Sequence, residues 1–177
     1  MTRCRALGLL AVAGIGLFAV ELAYNGQMQD AGGHGIVAFE LAFTHARAQS
    51  ILSAWGAAGQ DAARASLWFD FGFLTAYGLL LFLAARAVRD ALARRGRTRL
   101  ARPGAVIAVL ALVAAGCDAC ENVFLLLQLG GRARSIGPPL AGAFASVKFA
   151  CAAVALAYVL AGLAALPRRR RRSIGAP

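Results

Sequence analysis

Two carboxyls and an amide, Asp118, Glu121 and Asn122, sit three and four residues apart, so a helix would carry all of them on one face. Cys117 and Cys120 are interleaved with them, and the whole group lies inside an apolar run, Gly104–Leu129. That run is long enough to cross a bilayer as a helix. An ionisable side chain near the middle of a membrane costs roughly 2.5–3.5 kcal/mol on insertion scales. Two carboxyls on one such helix must therefore face protein or a wet cavity, and they need partners. Carboxyls held in this way are suited to proton transfer, to binding a cation, or to anchoring the polar end of a small amphipathic molecule.

The candidate partners lie in other apolar runs. Asp70 and Tyr77, two helical turns apart on one face, lie in the run 67–88. Lys148 is the only internal charge of the run 140–166, and Glu21 lies late in the run 6–24. The acids outnumber the lysine, so some must be protonated, joined by a cation, or reached by water. The ligand-binding candidates are Asp70, Tyr77, Asp118, Glu121, Asn122 and Lys148. An apolar part of the ligand would lie along Phe73, Tyr77 and Phe124.

Composition explains why these runs are membrane spans. The chain has 177 residues, is 60% hydrophobic and has a mean hydropathy of +0.66. That exceeds the usual soluble domain, and the apolar residues come in long blocks. The expected fold is an all-α membrane protein: a four-transmembrane-helix bundle with spans at about 6–24, 67–88, 104–129 and 140–166, in a single membrane domain. A basic start before residue 6 also fits a signal peptide, but Glu21-Leu22-Ala23 is a poor cleavage site, so an uncleaved first span is expected. Residues 36–55 have helical apolar spacing but are too polar to span, which suggests an additional outer amphipathic helix. Glycines before it, and Gly56 and Gly59 after it, suggest a lid whose Glu40 and His45 reach the site.

A net charge of +11 raises the question of nucleic acid. The arginines instead flank hydrophobic runs, as topology signals do, and no aromatic residues are interleaved with them. No nucleic-acid partner is expected. Arginine is concentrated at the N-terminus, in the linker 91–102 and in the tail 167–177, which includes Arg168–Arg172. The stretch 25–66 has only Arg47 and Arg64, and the turn 130–139 only Arg132 and Arg134. The positive-inside rule then places a multi-pass protein in the cell (plasma or inner) membrane with N- and C-termini cytoplasmic.

Other chemistry is less well supported by the residues. His34 and His45 follow no metal-ligand spacing, so neither a metal nor a cofactor is expected. Cys117, Cys120 and Cys151 suggest thiol redox chemistry, as in the vitamin K epoxide reductases. The second, loop-borne cysteine pair of those enzymes is missing, and buried cysteine commonly acts as a small apolar residue. Ala153, Ala157, Ala161 and Ala165 recur every four residues, a small-residue stripe suited to close packing within the bundle or to a homo- or hetero-oligomer.

The pair of stretches Leu67-Trp68-Phe69-Asp70-Phe71 with Tyr77, and Cys117-Asp118-Ala119-Cys120-Glu121-Asn122, resembles a pattern in small four-span bacterial integral membrane proteins that have no assigned activity. The resemblance covers the second and third spans and implies a fold but no reaction. Three functions remain open. The first is binding of a small amphipathic, lipid-like ligand or a cation in an outward-facing polar pocket. The second is an intramembrane enzyme acting on a lipid or isoprenoid, with Asp118 or Glu121 as base and Lys148 as electrostatic stabiliser. The third is a structural partner subunit of another membrane protein.

Overall fold

The computed structural model describes residues 3–132 and 135–166, with side chains from residue 5 onward. The basic tail and Arg134 lie outside the described residues. The chain is all-α, in the order α1 (Arg3–Gly32), α2 (Ile36–Glu40), α3 (His45–Arg94), α4 (Thr98–Ala101), α5 (Gly104–Leu129) and α6 (Gly137–Ala165). Four of these helices are long and apolar enough to cross a membrane, and the protein is a membrane-embedded helical bundle.

Helix α5 has the bounds read from the sequence, with Pro103 at its N-cap. Helix α6 begins earlier than the apolar run does. Pro138 and Pro139 stand in its first turn, where a missing N–H leaves no hydrogen bond unmade, rather than in the preceding loop. Helix α1 continues past residue 24 through a polar stretch to Gly32, because its end packs against α3. A side chain at Gly32 would fall 2.6 Å from the Ala54 backbone.

The outer segment 36–55 is helical in two pieces, not one helix. It breaks after Glu40, and Phe43 takes a positive φ of 54°. The Thr44 side chain then caps α3 by accepting from the Arg47 N–H at 3.2 Å. Gly56 (φ 58°, ψ −161°) kinks α3 without ending it, and Gly59 remains helical. This ψ lies in a region essentially reserved for glycine.

Helices α1, α3, α5 and α6 pack antiparallel in chain order. Tyr24 stacks on Phe69 and Phe18 on Phe73 between α1 and α3, and Phe124 stacks on Phe144 between α5 and α6. Helix α1 packs almost wholly against α3, so no helix seals it to α6. Two apolar clusters fill the ends of the bundle. One gathers α2 and the first turns of α3 around Trp55, with Met28, Phe39 and Leu125. The other joins Val88, Leu92 and Val159 near the arginine-rich end. The polar residues lie between the two.

Candidate functional site

Lys148 is the centre of the polar layer. It is 8% exposed, and its Nζ lies 2.8 Å from Asp118 Oδ1, 2.9 Å from Glu121 Oε2 and 3.4 Å from Glu40 Oε2. Asp118 and Glu121 face it because they are three apart on α5. Glu40 reaches it because α2 ends immediately above α6. Phe43 helps to set that position by packing its ring on Gly142, where a side chain would fall 2.6 Å away. Lys148 Nζ also lies 4.9 Å from the centre of the Phe149 ring. One ammonium therefore faces three carboxyls.

The remaining polar groups form pairs. Tyr77 donates to Asp118 Oδ2 at 2.9 Å, so both Asp118 oxygens are engaged. Asn122 donates to Asp70 Oδ2 at 2.7 Å. The Ser66 hydroxyl donates to Glu21 Oε2. Glu121 is fully buried. It meets Lys148 as an ion pair, but neither of its oxygens makes a well-formed hydrogen bond among the described residues. Glu40, outside the spans, has its carboxyl raised above the ordinary 4.5 by burial, against the opposing charge of Lys148.

These groups form one end of a cavity of about 580 Å³. Its polar end is made by Glu21, Ser66, Asp70, Asp118, Asn122 and Lys148, with Glu40. Its apolar length follows Phe73, Tyr77, Leu80 and Leu81 on α3 and Phe149, Ala152, Ala153 and Leu156 on α6, with Phe18 of α1. The cavity thus lies where α1 and α6 fail to close on each other. From Asp70 to Leu81 it extends roughly 16 Å at ~1.5 Å per residue. Its volume falls within the usual range for small-molecule sites.

The structure brings Asp70, Tyr77, Asp118, Asn122 and Lys148 together on the cavity wall, with Glu121 behind Lys148 rather than on the wall. Of the two lid candidates, Glu40 lines the cavity, whereas His45 is exposed in the first turn of α3 and does not. The segment between α1 and α3 is held at several points. Trp55 Nε1 donates to the His34 carbonyl at 2.7 Å, the Ile36 N–H donates to Asn25 Oδ1 at 2.9 Å, and Phe39 packs edge-on against Trp55. Phe124 stacks on Phe144 and is not part of the wall, because it turns toward α6 on a different face of α5. Cys117, Cys120 and Cys151 are free and none lines the cavity. Ala153 lines it, and Ala157 and Ala161 are exposed. The close approaches within the bundle are made elsewhere, at Gly78 against Ala115 and at Gly162 against Val88. Among the described residues, no group of three or more His, Cys, Asp and Glu is arranged to hold a metal ion.

Ser66 went unread in the sequence, although a signal was present. Ser66, Asp70, Phe73 and Tyr77 follow the spacing of one helix face. Helix α6 repeats this with Phe149, Ala152, Ala153 and Leu156. The chain matches no protein-family model, and no curated protein or solved structure is significantly similar to it.

Proposed function

We propose that the protein binds a small amphipathic, lipid-like molecule, which enters sideways from the bilayer between α1 and α6. The observation that carries this reading is the cavity itself. It has a polar end at Asp70, Asp118, Asn122 and Lys148, and it continues as an apolar slot open between two helices. A site with a few convergent polar groups in an apolar cleft fixes the head of a ligand while hydrophobic burial supplies most of the affinity. Lys148 and its carboxyls hold the polar end in shape, since each is restrained by the others.

The arginine distribution supports insertion in the cell membrane with both termini cytoplasmic. In that orientation the polar end lies in the outer half of the bilayer. A ligand would reach it from the outer leaflet with its chain pointing toward the membrane centre.

The test is mass spectrometry of lipids retained by the protein after purification in a mild detergent, beside an Ala153→Trp variant. Ala153 is exposed on the cavity wall and carries no polar group, so a tryptophan there is expected to fill the slot without removing a member of any polar pair. Wild type is expected to retain one amphiphile class that the variant loses. Equal retention by both would remove the reading.

A further inference from the structure

We propose that the head group this cavity accepts is a cation, a protonated alkylamine, bound on the wall that carries Glu21 and Asp70. The inference rests on the amphiphile-binding reading above and specifies the chemistry of its ligand.

Charge is the first argument. Glu21, Glu40, Asp70 and Asp118 all line the cavity, and Lys148 is the one basic side chain among its lining residues. That lysine is fully occupied. It contacts Asp118, Glu121 and Glu40, so it has no free side to offer an anionic head group. An anionic ligand would meet a wall of carboxyls behind a neutralised lysine. A cation would meet carboxyls that have no cation of their own.

The arrangement of the two acids is the second argument. Glu21 and Asp70 form no ion pair among the described residues, and each accepts from a neutral donor only, Ser66 for Glu21 and Asn122 for Asp70. Glu21 Oε1 is buried without a hydrogen-bond partner. Glu40, also on the wall, already has Lys148 3.4 Å from its Oε2, so the unmet acceptor on this side is that of Glu21. Buried acceptors without donors are costly, at roughly 1–3 kcal/mol each. An ammonium group brings several N–H donors and a positive charge to the side of the cavity where both are lacking.

The third argument is aromatic. Phe18, Phe73 and Tyr77 line the cavity next to these acids, with ring centres 5.8 Å apart for Phe18 and Phe73 and 5.3 Å apart for Phe73 and Tyr77. Ring faces attract a cation and pack well against the first methylenes beside it. Carboxyls and aromatic rings on one wall, continued by an apolar slot, match an ammonium head followed by a hydrocarbon chain.

The test compares hexadecylamine, hexadecanol and palmitate, each radiolabelled, for saturable binding to the protein in lipid nanodiscs. The proteins are wild type, Glu21→Gln with Asp70→Asn, and Ala153→Trp. The amide replacements keep size and leave the Ser66 and Asn122 contacts a partner. Wild type is expected to bind hexadecylamine at least tenfold more tightly than hexadecanol, with palmitate weakest. The double amide variant is expected to lose that preference while still binding hexadecanol saturably, which also shows that it is folded. If all chains bind saturably, are lost in Ala153→Trp, and show no preference for the amine, the cationic head group is wrong and the cavity reading stands. If no chain binds saturably to wild type, both fall together.

Discussion

Glu40, at the end of a five-residue helix, lies 3.4 Å from Lys148 on α6. That contact joins the segment between α1 and α3 to the same lysine that holds Asp118 and Glu121 of α5. Lys148 therefore links three elements. Removing its charge leaves three buried carboxyls without a counter-ion, and breaking a buried ion pair from one side costs about 3–5 kcal/mol. Lys148→Met is expected to lower thermal stability in detergent strongly. Adding Glu121→Gln is expected to recover part of that loss, because residues in contact are not additive. Strict additivity of the two changes would show that the pair is not coupled.

Gly56 offers a second test, of the backbone. Its φ of 58° and ψ of −161° kink α3 where the outer turns meet the span, and a side chain there would meet no atom within 4 Å. The penalty for Gly56→Ala is thus one of conformation and not of space, about 1–3 kcal/mol. Gly16→Ala, on α1 and equally free of neighbours, is expected to be neutral or slightly stabilising. Equal melting temperatures for the two variants would mean that the kink is not held in solution.

Orientation is checked by reporter fusions. Arg94, Arg95, Arg97, Arg99 and Arg102 cluster around α4, whereas the turn after α5 has fewer basic residues. Reporters joined after Arg102 and after Arg132 are expected to report opposite sides, with the first in the cytoplasm. The same side for both would break the four-span arrangement, and reversed sides would turn the cavity toward the inner leaflet.

The sequence made the spans legible because hydrophobic length alone defines them, and α5 shows this best: Pro103 and Gly130 bracket its apolar run. The partnership of Lys148 with Asp118 and Glu121 was legible for a related reason. Charges at similar depth in a bilayer have few other places to go. What stayed hidden depended on geometry that spacing does not encode. The break after Glu40 rests on Phe43 adopting a positive φ while its ring packs on Gly142, a tertiary contact between distant parts of the chain. That break turns Glu40 inward and leaves His45 outside. Phe124 lies one turn from the site in sequence, but the rotation of α5 directs it to Phe144. The side opening between α1 and α6 is likewise absent from any one segment, since it comes from α1 packing almost wholly on α3.

The last prediction concerns pH and Glu40. Burial, helped by the charge of Asp118, raises its carboxyl above the ordinary 4.5, and Lys148 opposes the shift without cancelling it. The groups facing Glu40 are Lys148 from α6, Asp118 and Glu121 from α5, and Glu21 from α1. In the unfolded chain Glu40 releases its proton near the ordinary value, while in the folded chain it keeps the proton to higher pH. The folded state then binds more protons across the window that opens at 4.5 and runs up to the raised value. Stability must fall as pH rises through that window, because the unfolded state gains by ionising first. Glu40→Gln removes this titration and keeps an oxygen near Lys148. Melting temperatures measured between about pH 5 and about pH 8 are expected to fall less steeply in the variant than in wild type. Parallel slopes would show that Glu40 ionises as an ordinary surface carboxyl, and that α2 does not stay seated on Lys148 in solution.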